Sequence, residues 1–192
     1  MENDPLDILT PQGYLSRIQA NPGLDVVMNL FRIPRAFAVS GFGDWNVGQH
    51  SFCAAFLALY WARHRGYPLE TRDRLMVLGL THDLHESATG DILPGLKVPA
   101  LRERLDDVQR RFLNGLGVAQ AAGLEGDLKL LDRVAFLYEI RQAAWRDNEQ
   151  RRRLADFFQL QKTQLLEFAA GQGFDTVEAF LREIGLEKLE DK

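Results

Sequence analysis

Cysteine occurs once, at Cys53, so no intrachain disulfide can brace this chain. Its setting, Phe52-Cys53-Ala54-Ala55-Phe56-Leu57, reads as a small buried hydrophobe rather than a nucleophile. No apolar run approaches the length of a membrane span. The segment Met1-Glu2-Asn3-Asp4-Pro5 is acidic, whereas a signal peptide starts basic and turns apolar. A cytoplasmic protein is the expectation. An excess of positive charge is also missing. Lys and Arg number 23 against 27 Asp and Glu, for a formal charge of −4. That argues against a general nucleic-acid binder, although a local basic pocket stays open. There is no internal repeat, no low-complexity tract and no sustained period-two alternation, so strands should be scarce.

What is present is helical spacing. Hydrophobic residues make up 46% of 192 residues, enough for one ordinary domain with a real core. Thr10-Pro11 reads as a cap and a first-turn proline opening a helix to about Ala20. Asn21-Pro22-Gly23 breaks it, and a second short helix runs from about Leu24 to Phe31. Pro34 and Ser40-Gly41-Phe42-Gly43-Asp44 make a loop. Longer helices are predicted over Val47–Arg65 and Glu70–Leu84, with Gly66-Tyr67-Pro68 between them. After the turn-rich stretch Thr89–Gly95 come helices over about Ala100–Leu113, Asp127–Ala144, Asn148–Ala170 and Thr176–Ile184. The fold class expected is all-α.

Histidine is scarce as well, with His50, His64, His82 and His85 the only four. His82 and Asp83 stand together near the end of a strongly apolar helix. Burying either without a partner costs several kcal/mol, roughly, and a divalent cation would compensate. Imidazole and carboxylate together suit Zn²⁺, Mn²⁺, Co²⁺ or Fe²⁺. If the helix continues, Glu86 falls on the face of His82, four residues on. Asp91 follows a short turn and can fold back. The short linker Gly66–Leu69 makes the two long helices antiparallel neighbours, which brings His50 towards His82 and Asp83. A His-Asp pair alone is more often a surface pair or an N-cap. Asp132 alone, within Leu130-Leu131-Asp132-Arg133-Val134, could equally be a salt bridge to Arg133 or Arg141. His64 and His85 read as exposed or supporting groups.

The order His50, His82-Asp83, Asp132 resembles the H…HD…D signature of the HD phosphohydrolase superfamily. Asn46-Val47-Gly48-Gln49-His50-Ser51 is similar to the segment entering the first metal-binding helix of its 5′-deoxynucleotidases. His82-Asp83-Leu84-His85-Glu86 with Thr89-Gly90-Asp91 resembles the family's HDxxE…TGD run, and Pro94 and Lys97 fit the loop after it. Arg35 stands where these enzymes carry a phosphate-binding arginine. The likeness spans about Arg32 to Glu139. It implies a single HD-domain helical bundle over residues 1–192, with its core at about 32–140 and the terminal helices packed on it.

The resemblance implies His50, His82, Asp83 and Asp132 as ligands of a divalent metal (Co, Mn, Zn or Mg). It makes Glu86 the general base and gives Asp91 a role assisting it or holding the sugar hydroxyl. Arg35, Lys97 and Lys129 would neutralise phosphate oxygens, with a solvated surface charge the plain alternative for each. The implied substrate is a small deoxynucleotide, with neither nucleic acid nor membrane as partner. A homo-oligomer is compatible with the apolar faces of Leu130–Ile140 and Phe157–Phe168. The spacing from Asp83 to Asp132 is nearer that of compact phage enzymes that split dATP into deoxyadenosine and triphosphate. That branch would place the protein in a host cytoplasm. The alternatives are a bacterial 5′-deoxynucleotidase acting on dNMP and a non-catalytic nucleotide-binding module. Two positions depart from the pattern: Gln49 replaces a glutamate, and Ala36 replaces a tryptophan that packs near the sugar, a role open to Phe37 or Trp45.

Overall fold

The computed structural model describes residues 11–35, 45–119, 121–146 and 148–189. These residues are helical and carry no strand; one isolated bridge pairs Pro34 with Asn46. The helices are α1 (Pro11–Ala20), α2 (Leu24–Met28), α3 (Val47–Arg65), α4 (Leu69–Thr81), α5 (Glu86–Thr89), α6 (Pro99–Gly115), α7 (Glu125–Ala144), α8 (Asn148–Gly171) and α9 (Val177–Glu183). The all-α expectation holds. Thr10, Ala36, Phe37 and the stretch 40–44 lie outside the described residues. No helix among those described is long and apolar enough to cross a membrane.

α3 and α4 form an antiparallel hairpin because of how α3 ends. Gly66 takes a left-handed conformation at φ 66°, open to glycine without a Cβ clash. The Tyr67 amide then bonds back to the Ala62 carbonyl at 2.9 Å, and Pro68 precedes α4. The helices touch closely at Gly79, where an added Cβ would come within 2.9 Å of the Ala55 backbone. That approach sets the depth at which the start of α3 meets the end of α4. Behind them α7, α8 and α9 complete the main core, with Trp61, Leu75, Val134, Phe158 and Phe180 at its centre. A second cluster joins Ile18, Leu30, Val47, Leu84 and Phe112, tying the N-terminal segment and α6 to the same end of the hairpin. Each fully buried Phe or Leu contributes roughly 1.5–3 kcal/mol against its exposed state.

α4 stops at Thr81, whereas the spacing predicts a helix through Leu84. The cause is a side chain from another helix. Gln109 of α6 donates from Nε2 to the Thr81 carbonyl at 2.6 Å. Its Oε1 accepts from the His85 amide at 2.9 Å. Gln109 thus sits where the Thr81–His85 helical bond would be, and an inserted side chain breaks the ladder. The chain turns tightly instead, with Leu84 N bonded to Thr81 O at 3.1 Å and Glu86 N to Asp83 O at 2.9 Å. Glu86 therefore opens a new helix, α5, and does not continue α4. The second short helix also differs from expectation: α2 ends at Met28, and Asn29–Arg32 tightens to a 3₁₀ turn.

Candidate metal centre

The site assembles from the start of α3. Asn46 caps that helix, its Oδ1 accepting from the Gln49 amide at 2.8 Å while Gln49 Oε1 accepts from the Asn46 amide at 3.1 Å. This reciprocal capping box needs a carbonyl oxygen at Gln49, which glutamine supplies as well as glutamate does. Just before it, Arg35 N bonds to Trp45 O at 3.0 Å and Val47 N to Ile33 O at 3.1 Å. Those two bonds lay Arg35 alongside the first turn of α3, where His50 is fully buried.

His50, His82 and Asp83 offer ligand atoms that all lie within 4.8 Å of one another. His50 Nε2 is 3.2 Å from His82 Nε2 and 3.8 Å from Asp83 Oδ2. His82 Nε2 is 3.2 Å from Asp83 Oδ2. Asp132 joins from α7, with Oδ1 3.2 Å from His50 Nε2. Donors about 2.1 Å from one ion stand roughly 3–3.5 Å apart in a tetrahedral arrangement, so the separations among His50, His82 and Asp83 fit a divalent cation, while Asp132 stands beside His50 outside that mutually close set. The outer nitrogens are committed elsewhere. His82 Nδ1 donates to the Gly79 carbonyl at 2.9 Å, and His50 Nδ1 meets Glu139 Oε1 at 2.5 Å. Each ring therefore turns Nε2 to the shared point.

The charges are dense and mutually dependent. Burial and Arg35 work against a charged His50, but Glu139 and Asp132 outweigh them and hold its pKa above the usual value. Burial opposes charge on His82 too, and Asp83 more than offsets it. Burial disfavours the Asp83 carboxylate, yet His82, Arg35 and His50 hold it well below the carboxylate range. Asp132 is lowered likewise, burial being overcome by His50 and Lys129.

Arg35 spans this cluster: Nη1 is 3.5 Å from Asp83 Oδ2, Nη2 3.6 Å from Asp132 Oδ1 and Nε 3.4 Å from Glu139 Oε2. Glu86 is buried beside it, with Oε1 3.7 Å from Lys97 Nζ and Oε2 lacking a hydrogen-bond partner. Burial and the charges of Asp83 and Asp91 push its carboxyl up to about 9, with Arg35 and Lys97 pulling the other way. Asp91 is half-buried and its charge acts on both Arg35 and Glu86, which places it in the same group. Lys129 lies at the rim, exposed, with Nζ 2.6 Å from Asp132 Oδ2.

Other residues fall elsewhere. His85 is buried, bonded through Nδ1 to Gln109 at 3.2 Å, and burial lowers its pKa. His64 pairs with Glu183 at 3.0 Å, far along α3. Trp45 packs edge-on against Tyr138 and lines a cleft of about 770 Å³ with Phe52, Phe56 and Tyr60. That cleft's lining includes none of the metal donors. Cys53 is raised to about 12 by burial, in keeping with a packing role. Sequence reasoning missed Glu139 and Gln109. Glu139 carried a signal, an acid in Phe136-Leu137-Tyr138-Glu139-Ile140 two helical turns after Asp132. Gln109 carried none, being one polar residue on an amphipathic helix.

The sequence pattern of the HD domain matches residues 34–164 of this chain. Among solved structures, the chain is similar to the cyanophage S-2L HD phosphohydrolase (DatZ) bound to dA and one catalytic Zn²⁺ ion. The identity is 18%, the match covers 76% of this chain and 97% of that one, and the TM-score is 0.55. At that identity the likeness carries the fold. None of the curated proteins searched matches the chain.

Proposed function

The chain belongs to the HD-domain family, and on that premise we propose that it hydrolyses deoxynucleoside 5′-phosphates. Its preferred substrate is a dNTP, dATP first, which it splits into deoxynucleoside and triphosphate. The observation that carries this is one grouping: the donors His50, His82 and Asp83, with Asp132 beside His50, spanned by Arg35 and flanked by Glu86 and Lys97. The deoxyadenosine held by the phage enzyme of like fold is the reason for placing dATP first.

A divalent cation held by those donors would supply Lewis-acid charge, lower the pKa of the attacking water, and offset the Asp83 charge that raises the Glu86 carboxyl. Arg35 and Lys97 hold the α-phosphate by its oxygens, and Lys129 at the rim meets the far end of a triphosphate. Glu86 takes the water's proton. The water oxygen bonds to the α-phosphorus, the bond from phosphorus to the 5′ oxygen breaks, and the deoxynucleoside leaves with a proton drawn from solvent. Asp91 assists Glu86 or holds the sugar hydroxyl. Positioning and fixed charge supply most of the rate.

The test is incubation with each dNTP and dNMP over a panel of divalent metals, with the phosphorus product identified by ³¹P NMR. Triphosphate from dATP is expected. Orthophosphate from monophosphates alone would make the protein a 5′-deoxynucleotidase, and no product from any of them would make it a non-catalytic binding module.

A further inference from the structure

We propose that Glu139 is the positioning residue that ties the metal half of the site to its phosphate half. Its carboxylate has no solvent exposure, and its two oxygens serve different partners. Oε1 accepts a hydrogen bond from His50 Nδ1 at 2.5 Å; Oε2 lies 3.4 Å from Arg35 Nε. The first contact fixes the ring tautomer, so that His50 presents Nε2 towards His82 and Asp132. The second is an ion pair at the inner nitrogen, not a hydrogen bond, and it leaves Nη1 and Nη2 beside Asp83 and Asp132. Those two nitrogens form the edge that matches phosphate oxygens. One carboxylate therefore aims a metal donor and a phosphate donor at the same point.

A purely structural account fits less well. A buried ion pair is seldom a net stabiliser, and well-packed apolar residues of similar size usually do as well or better. The register of α7 adds to the argument. Asp132 and Glu139 stand seven residues apart, so one helix face supplies both a ligand and the group that orients another ligand.

The metal arm of this inference is independent of the substrate assigned above; the phosphate arm rests on that reading. Titration of purified Glu139→Gln with Zn²⁺ should show affinity roughly 10–100-fold weaker than wild type. The downfield ring-proton signal of His50 Nδ1 in Zn²⁺-loaded wild type should move upfield in the variant, whose neutral amide oxygen is the weaker acceptor. With metal saturating, inorganic phosphate should bind more weakly to Glu139→Gln and to Arg35→Gln. The double variant should be no worse than Arg35→Gln alone, because Glu139 acts on phosphate through Arg35. Wild-type Zn²⁺ affinity in Glu139→Gln, or additive phosphate losses, would overturn the proposal. If Glu139→Gln fails to fold, wild type still decides: no carboxylate-bonded Nδ1 proton on His50 in the Zn²⁺-loaded protein sinks it. Should no deoxynucleotide be hydrolysed, the activity reading falls while these titrations still decide the role of Glu139.

Discussion

α3 and α7 meet at two buried acidic clusters, and the two differ in kind. At the far end Asp127 accepts from Trp61 Nε1 at 2.6 Å and from the Tyr67 hydroxyl at 2.9 Å. Its Oδ1 acceptor is matched to two neutral donors, with the Arg65 charge beside Tyr67. At the near end Asp132 and Glu139 stand among Asp83, His50, His82 and Arg35, with Glu86 Oε2 and Glu139 Oε2 lacking hydrogen bonds. Evenly matched donors and acceptors make a structural pin. Crowded like charges, with acceptors to spare, make a candidate place for a cation. The largest difference between the clusters should appear on removing a donor at the near end. Asp83→Ala should abolish stoichiometric metal, measured by elemental analysis, and cut turnover on the order of a thousandfold or more. Full turnover in that variant would place the site elsewhere.

The next effect separates ligand from base. Glu86→Gln should keep metal but lose turnover by roughly a hundredfold or more; loss of metal instead would make Glu86 a ligand. The same variant carries a pH signature. The folded carboxyl is raised from 4.5 to about 9, so the folded state binds the proton more tightly than the unfolded state does. Stability tied to that proton is fully present below about 4.5 and is lost as pH rises through about 9. In chelator, thermal melts of wild type should therefore fall relative to Glu86→Gln between those limits. Parallel curves would contradict the assignment.

The far cluster should answer differently. Asp127→Ala leaves the buried Trp61 N–H unpaired, at about 1–3 kcal/mol, and removes the carboxylate acceptor of the part-buried Tyr67 hydroxyl. Denaturant unfolding should show that loss of stability, while Zn²⁺ affinity stays within about twofold of wild type, since distant sites without shared partners are independent. A change in metal affinity comparable to that of Glu139→Gln would erase the distinction between pin and site.

The sequence made the near cluster visible in part. Helical spacing located α3 to the residue, and the short Gly66-Tyr67-Pro68 linker implied that His50 would meet His82. His82, Asp83 and Asp132 were conspicuous because polar groups in apolar helices need partners. Glu139 carried the same signal without naming its partner, and Gln109 carried none, for a physical reason. Their partners come from helices distant in sequence, and a lone polar residue gives no hint of which distant group it will meet. Gln109 even overrode local spacing, ending α4 by occupying the Thr81–His85 bond. Trp45, open to sugar packing from its place in the sequence, packs edge-on against Tyr138 and lines a cleft.

The smallest expected effect concerns Gln49, next to a metal donor yet part of neither cluster. Its side chain closes the capping box on the Asn46 amide, pointing away from the job His50 does. Glutamate keeps the acceptor and adds negative charge at a helix N-terminus, which favours it slightly. Gln49→Glu should therefore lie within about 0.5 kcal/mol of wild type in stability, with metal affinity unchanged. Gln49→Ala removes the reciprocal bond and should cost about 0.5–1 kcal/mol, read by denaturant unfolding. If instead Gln49→Glu shifted Zn²⁺ affinity severalfold, the first turn of α3 would be electrically part of the metal centre, and the boundary of the near cluster would move outwards by one residue.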